Sequence, residues 1–159
     1  MHVEREYAVK PAQLRETLVD PDYLAALGAR FAGLGDAEVE TGDASITVVT
    51  RRQIPVEYVP AAARGLVGDG VVTQTDLWSL ESDHPVDGSW SATLDGAPAT
   101  MGGGYTIDGT DAGCRLTVTA QVKVKIPLIG GKIESEIRRY LESLVTKQMA
   151  FTQEWLDAS

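Results

Sequence analysis

The stretch from Cys114 to Ile126 constrains the fold more than any other part of the chain, because apolar and polar residues alternate along it almost without a fault. One parity carries the apolar side chains of Cys114, Leu116, Val118, Ala120, Val122, Val124 and Ile126. The other parity carries Arg115, Thr117, Thr119, Gln121, Lys123 and Lys125. Strict period-two alternation predicts one long strand with a dry face and a wet face.

A long amphipathic helix is predicted after this strand and reaches Leu156. Pro127 and Gly130 lie in the break between the two segments. At about 100° per residue, six large apolar side chains fall within about 60° of arc, and these are Ile133, Ile137, Tyr140, Leu144, Phe151 and Trp155. The dry face of a sheet is the obvious cover for this stripe. A helix packed across a half-wet sheet is an arrangement that can enclose a cavity.

The rest of the chain predicts an antiparallel meander with two short helices after its first strand. The predicted strands cover residues 3–9, 37–41, 45–54, 70–81, 89–95, 100–108 and 114–126. One helix is predicted over residues 12–19, and a second is capped by Asp20 and begins at Pro21. Residues 55–66 favour a short helix or turn. No repeat or linker divides the chain, so residues 1–159 are expected to form a single α+β domain.

Charge and composition narrow the classes of partner. The formal charge of −9 argues against nucleic acid, which needs a basic surface. No stretch approaches the roughly 20 apolar residues that span a bilayer, so no integral membrane association is expected. The charged N-terminus and the lone Cys114 predict a cytoplasmic location. Six basic residues allow two interpretations, and these are Arg115, Lys123, Lys125, Lys132, Arg138 and Arg139. They could form a docking patch for an acidic partner or a lipid head group. Alternatively, they are solvated charges that protect an exposed strand from aggregation.

The sequence predicts no catalytic residue, metal centre or cofactor. His2 and His84 are the only histidines, and neither has a second ligand at helical or strand spacing. Cys114 lies on the dry parity and is expected to be a core residue. The glycines at residues 102–104 lie inside a predicted strand, where they favour a bend of the sheet over direct ligand contact.

The order of elements and several segments resemble the START-like (SRPBCC) helix-grip superfamily, which includes the birch-pollen allergen, START lipid-transfer domains and polyketide cyclases. More closely, the chain is similar to an actinobacterial family of uncharacterised START-like proteins. The matching segments are Val49-Thr50-Arg51-Arg52, Val59-Pro60 with Arg64-Gly65-Leu66-Val67-Gly68, Trp78, Asp95-Gly96-Ala97-Pro98 and residues 124–134. The resemblance spans essentially the whole chain. It implies a helix-grip fold, in which a curved antiparallel sheet of about seven strands wraps around a long C-terminal helix, with a deep cavity between the sheet and the helix.

Such a cavity implies a hydrophobic ligand such as a lipid, a sterol or a polyketide-like molecule. Strand parity and the helical stripe predict its walls as Trp78, Trp90, Met101, Tyr105, Ile107, Ile137, Tyr140, Leu141 and Leu144. The polar groups expected to reach the interior are Arg51, Arg52, Glu57 and Asp76. Adjacent residues of a strand face opposite ways, so only one of Arg51 and Arg52 is expected to point inward.

The predicted function is binding, sequestration or transfer of that ligand, with residues 59–70 as a movable lid. Two alternatives stay open. A cyclase or hydrolase would use the same cavity and would need a catalytic group among Arg51, Arg52, Glu57, Asp76 and Tyr105. A protein-binding module without a ligand would instead have a fully packed interior.

Overall fold

The computed structural model of the protein describes residues 1–59 and 61–159. Within them, the strands are β1 His2–Tyr7, β2 Glu38–Thr41, β3 Ser45–Gln53, β4 Val71–Ser79, β5 Val86–Leu94, β6 Ala99–Thr110, β7 Gly113–Thr119 and β8 Gln121–Val124. The α-helices are α1 Pro11–Leu18, α2 Pro21–Arg30 and α3 Gly130–Asp157. Two short 3-10 helices, Val56–Tyr58 and Ala61–Leu66, follow β3.

The strands form an antiparallel sheet in the order β1-β7-β6-β5-β4-β3-β2, and β8 pairs with the far end of β6. Seven strands therefore make the main path of the sheet, with two short helices after the first strand and a long helix at the C-terminus. This confirms the predicted α+β helix-grip architecture.

The prediction of one unbroken strand from Cys114 to Ile126 is wrong, because the pairing stops at Ala120 between β7 and β8. The alternation still continues across the break, and Ala120 remains buried with its neighbours of the same parity. Both halves also keep one register on β6, since Tyr105 pairs with Val118 and Gly102 pairs with Gln121. The break is therefore a bend and does not move side chains to the opposite face.

The hydrogen bonds around the bend explain why the pairing stops. The Thr119 carbonyl accepts a hydrogen bond from the Trp90 indole Nε1 at 3.0 Å. The Thr119 hydroxyl accepts from the Gly104 amide at 3.1 Å, and the Ala120 amide donates to the Met1 carbonyl at 3.1 Å. Backbone groups that leave the ladder thus find other partners, as buried polar groups must.

Local sequence accounts for the entry into both short helices. Pro11 and Pro21 each occupy the first turn, where a missing amide costs no helical hydrogen bond. The Asp20 side chain accepts a hydrogen bond from the Asp22 amide at 3.0 Å, as the predicted N-cap requires. Helix α1 packs against β5, β6 and β7, and α2 packs against α1 and α3.

Helix α3 crosses the sheet and joins two apolar clusters. Met149 packs in the first cluster with Tyr7, Leu14 and Trp78. At the other end of the helix, Ile133 and Leu141 pack in the second cluster, which is built mainly on β4, β5, β6 and β8. Two pockets are lined by residues of this helix and of the sheet.

Candidate ligand-binding site

The larger pocket, called the main pocket below, has a volume of about 150 Å³ and lies between α2, α3 and the sheet. Helix α2 and the residue after it supply Tyr23, Leu24, Leu27 and Phe31. The sheet supplies Thr50, Arg52, Gln74, Asp76, Trp78, Trp90, Tyr105, Leu116 and Val118, and α3 supplies Leu141, Leu144, Val145, Gln148, Met149 and Thr152. Most of this wall is apolar, but four polar side chains of the sheet meet on one side of it.

A second pocket of about 50 Å³ lies beneath the two 3-10 helices. Its walls are almost entirely apolar and include Tyr58, Val59, Ala63, Val67, Met101, Ile133, Ile137 and Tyr140. The segment predicted as a lid, residues 59–70, borders this second pocket, although Pro60 lies outside the described residues. Arg52 and Leu141 line both pockets.

Four polar side chains from three strands form a connected network in the main pocket. Arg52 on β3 donates from Nη1 to the Gln74 amide oxygen at 2.9 Å. Gln74 on β4 donates from Nε2 to Asp76 Oδ1 at 2.8 Å. The Tyr105 hydroxyl on β6 donates to the same Asp76 oxygen at 2.7 Å. Gln74 thus links a cation to an anion, and its amide orientation is fixed from both sides.

Burial in this network shifts the pKa of each titratable group toward its neutral form. Burial raises the pKa of Asp76, although the hydrogen bonds from Gln74 and Tyr105 and the charge of Arg52 oppose the shift. Burial likewise lowers the pKa of Arg52, while nearby Tyr140, Tyr105 and Asp76 oppose that change. The pKa of Tyr105 lies well above its ordinary value, first because of burial and then because of the Asp76 charge. A buried acid and a buried base held this way are typical of functional pockets.

The position of Tyr105 depends on a glycine in the strand beside it. Gly88 on β5 pairs with Trp78 on one side and with Tyr105 on the other. A Cβ atom at Gly88 would lie 3.0 Å from the Trp78 ring. Because that space is empty, Trp78 and Tyr105 stack across the strand, with ring centroids 4.6 Å apart and planes within 6°. The stack holds the Tyr105 hydroxyl against Asp76.

The structure distributes the predicted wall residues between the two pockets. Trp78, Trp90, Tyr105 and Leu144 line the main pocket, Met101, Ile137 and Tyr140 line the second, and Leu141 lines both. Ile107 is fully buried and lines neither pocket, because its side chain packs in the first apolar cluster. As contacts to a ligand, these residues remain predictions.

Of the four predicted polar residues, two lie in the network and two lie outside it. Arg52 and Asp76 meet in the network, whereas Glu57 is exposed on the first 3-10 helix and lines neither pocket. Arg51 lies at the edge of the main pocket but is half exposed and forms an ion pair with Asp95 at 3.7 Å. Opposite orientation of the two arginines follows from strand alternation.

Sequence reasoning missed two contributions to the site. Gln74 shares the strand parity of Asp76 and Trp78, and that signal was sufficient to place its side chain in the interior. The contribution of α2 to the pocket wall was also missed. The sequence of a short amphipathic helix shows its apolar face but not which part of the sheet that face packs against. Cys114, by contrast, packs in the first apolar cluster, and burial raises the pKa of its thiol to about 11.

Metal-binding clusters and membrane-spanning helices are both absent from the described residues. No group of three or more histidine, cysteine, aspartate or glutamate side chains is placed to hold a metal ion there. None of the helices in residues 1–59 and 61–159 combines the length and the apolar character needed to cross a bilayer.

We expect the stability of the Asp76→Asn variant to depend on pH differently from the stability of the wild-type protein. Because the pKa of Asp76 is raised on folding, the native state keeps its proton more tightly than the unfolded chain does. Wild-type stability relative to Asp76→Asn should therefore fall as pH rises from about 4, by about 1.4 kcal/mol for each unit by which the pKa is raised. Urea unfolding between about pH 4 and pH 8 measures this difference, and a flat or rising difference would contradict it.

Comparison with known proteins places the chain among uncharacterised relatives. A model of the family described as "Protein of unknown function (DUF2505)" matches residues 2–156. An uncharacterized protein of Mycobacterium tuberculosis is 30% identical over 149 residues, which covers 91% of this chain and 81% of the relative. An uncharacterized protein of Mycobacterium bovis matches with the same identity and coverage. These mycobacterial relatives agree with the predicted likeness to an actinobacterial family.

Solved structures share the fold at low sequence identity. The TTHA0849 protein of Thermus thermophilus has a TM-score of 0.66 and 14% identity, covering 100% of this chain and 98% of that one. The Zhui aromatase/cyclase of a Streptomyces species has a TM-score of 0.60 and 14% identity, covering 99% of this chain and 93% of that one. At this identity the likeness establishes a common helix-grip architecture.

Proposed function

The chain thus belongs to the DUF2505 family of proteins of unknown function, and we propose that it binds one small, largely apolar molecule in the main pocket. The observation that carries this proposal is a pocket that combines an apolar wall with a buried, connected set of polar side chains. Pockets for small molecules commonly have this composition, in which apolar contacts supply affinity and a few polar groups fix orientation.

The size of the main pocket limits the part of a ligand that fits without rearrangement. Its volume of about 150 Å³ equals that of an engineered apolar cavity that accepts benzene. Pockets for larger ligands usually reach about 300–1,000 Å³. One ring therefore fits the pocket as it stands. A complete lipid, sterol or polyketide-like molecule would also require the second pocket or an outward movement of the 3-10 helices.

The chemistry of sequestration follows from the apolar wall. Each Å² of apolar ligand surface removed from water contributes about 25 cal/mol, and the leucine and aromatic side chains of α2 and α3 provide the surface that replaces water. The network of Arg52, Gln74, Asp76 and Tyr105 would then orient the polar end of the molecule. An apolar wall that holds the ligand and a polar network that orients it support storage or transfer, and these functions require no chemical step.

Catalysis in the same pocket is the second candidate, and one specific contact favours it. Asp76 and Tyr105 share a hydrogen bond inside the pocket, and burial raises the pKa of the carboxyl group. Such a pair is able to hold and move a proton next to a bound molecule. The fold shared with a Streptomyces aromatase/cyclase is compatible with this use, although the likeness is one of architecture.

We expect native mass spectrometry of the purified protein to show a stoichiometric apolar adduct that organic extraction releases. Val145→Phe should abolish the adduct, because Val145 lies on α3 in the pocket wall and a larger ring would occupy the ligand volume. Ser143→Phe is the matched control, since Ser143 is exposed on the same helix. Thermal unfolding of both variants checks that each remains folded.

Two results would count against the proposal. One is an adduct of equal occupancy in Val145→Phe and in the wild-type protein, which would place the molecule elsewhere. The other is the absence of any adduct together with no binding of added aromatic probes, which would favour the interpretation as a protein-binding module. A molecule that returns chemically altered after incubation with the protein would instead support the catalytic candidate.

A further inference from the structure

Arg52 separates the two pockets and faces both of them. Within the described residues, it is the only charged side chain that lines both the main pocket and the second pocket, and Leu141 is the other residue that they share. Arg52 and Leu141 are therefore the side chains at which the two pockets adjoin. A molecule that reaches the guanidinium from the main pocket also lies at the entrance to the second pocket.

One edge of the guanidinium has no partner among the described residues of the protein. Its Nη1 donates to Gln74, whereas Nε is buried and has no hydrogen-bond partner among the described residues. Nη2 likewise makes no hydrogen bond to those residues. Nε and Nη2 form the side edge of the guanidinium, which presents two parallel N–H groups to the two oxygens of a carboxylate. A buried donor left unpaired is unfavourable, so this edge favours an acceptor. Nε exposes less than 1 Å², so the guanidinium must turn toward the ligand for the pair to form.

The nearby carboxyl group of the protein does not occupy that edge. Asp76 is connected to Arg52 through the Gln74 amide, and the donors that reach Asp76 both bind its Oδ1 atom. Burial raises the pKa of Asp76, so this group is also the one able to take up a proton when a second carboxylate enters the pocket. Charge balance is then kept by Arg52 and the incoming anion.

We propose that the two pockets are compartments of one site, and that the site takes an amphipathic carboxylate whose acid group pairs with Nε and Nη2 of Arg52. The acid group lies at a branch point of the ligand. A ring fills the main pocket, whose volume of about 150 Å³ suits one ring, and a short aliphatic chain enters the second pocket of about 50 Å³. This inference rests on the proposed function and names the ligand class of the same site.

The test uses isothermal titration of four defined probes with the protein of residues 1–159. The probes are hydrocinnamic acid, α-propylhydrocinnamic acid, and the methyl ester and the alcohol derived from the second acid. We expect α-propylhydrocinnamic acid to bind about tenfold or more tightly than its ester and its alcohol, because only the carboxylate makes a charge-assisted bidentate pair. It should also bind more tightly than hydrocinnamic acid, which has no chain for the second pocket.

Four variants separate the parts of the inference. Arg52→Met should remove the preference for the acid over the ester, whereas Arg139→Met, at an exposed residue of α3 that lines neither pocket, should keep it. Arg52→Lys retains the positive charge without the fork, so it should keep only part of the preference, and it serves if Arg52→Met does not fold. Ala63→Leu fills the second pocket and should remove the advantage of the propyl chain while leaving hydrocinnamic acid unaffected.

Specific outcomes overturn the inference. Equal affinity for the acid and its ester in the wild-type protein, or an unchanged preference in both Arg52 variants, excludes Arg52 as the carboxylate site. If an apolar adduct is still extracted in either case, the proposed function stands and only the ligand class is wrong. Absence of both an adduct and any probe binding would overturn the inference and the proposed function together.

Discussion

Gly103→Ala is expected to lower the free energy of unfolding by more than about 3 kcal/mol. A Cβ atom at this position would overlap the Thr119 carbonyl oxygen, and it would lie 2.6 Å from the Thr119 carbonyl carbon and 3.0 Å from Cα of Ala120. These are backbone atoms, so no side-chain rotation relieves the overlap and the strands must separate. The expected loss is a large part of the roughly 5–15 kcal/mol by which domains are usually stable.

The loss would extend to the binding site because the bend holds Trp90. The Thr119 carbonyl that a methyl group would displace is the acceptor for the Trp90 indole, which lines the main pocket. Separation of β6 from the bend would therefore weaken both the second apolar cluster and one wall of the pocket. Near-ultraviolet circular dichroism should report the altered tryptophan environment alongside the change in stability.

Gly104→Ala is the matched control for this substitution. A Cβ atom at Gly104 has the Thr119 hydroxyl oxygen as its nearest neighbour, at an ordinary 3.5 Å. Because alanine also loses less conformational entropy than glycine on folding, this variant should be neutral or stabilised by up to about 1 kcal/mol. Guanidinium unfolding of both variants measures the difference, and similar stabilities would show that close approach at Gly103 does not determine the bend.

Arg52→Met is expected to destabilise the protein by about 3 kcal/mol at neutral pH, because it leaves the Asp76 carboxylate buried without a compensating cation. Arg52 and Asp76 are the charged members of the network, joined through the Gln74 amide. The loss should shrink as pH falls and Asp76 becomes protonated, since burial raises the pKa of this group. Arg51→Met should change stability by no more than about 1 kcal/mol, because its ion pair with Asp95 is exposed.

A double-mutant cycle tests whether the two charges act together. The combined variant Arg52→Met with Asp76→Asn replaces both charges by neutral groups, so it should lose less stability than Arg52→Met alone. We expect a coupling free energy of at least about 1 kcal/mol from urea unfolding of the four proteins. Additive losses would mean that Gln74 separates the charges too well for them to stabilise each other.

Much of the fold was predictable because it depends on local periodicity. The apolar parity of residues 114–126 predicted the buried face, and each of its members from Cys114 to Val124 is buried. The stripe on the C-terminal helix was likewise predictable, since a 3.6-residue repeat is visible in the chain itself. The bend at Ala120 was not, because it depends on the Trp90 indole reaching the Thr119 carbonyl from a different strand.

The sequence predicted which individual residues face the interior, but not which of them contact each other. Strand parity allows only one of Arg51 and Arg52 to point inward, and it does not state which polar side chains meet in the interior. Register decides that question, because Gly88 lies between Trp78 and Tyr105 and lets their rings stack across an intervening strand. Glu57 had no such constraint, and it lies exposed on a 3-10 helix.

The sequence by itself determined which faces of the strands and of the long helix are dry, and therefore that a helix covers a sheet. Only the tertiary structure decided that Arg52 lies between two pockets, with one edge of its guanidinium unpaired among the residues that the structure describes. The physical reason is that burial patterns follow from the periodicity of neighbouring residues, whereas hydrogen bonds between β3, β4 and β6 depend on the register of strands that are distant in the chain.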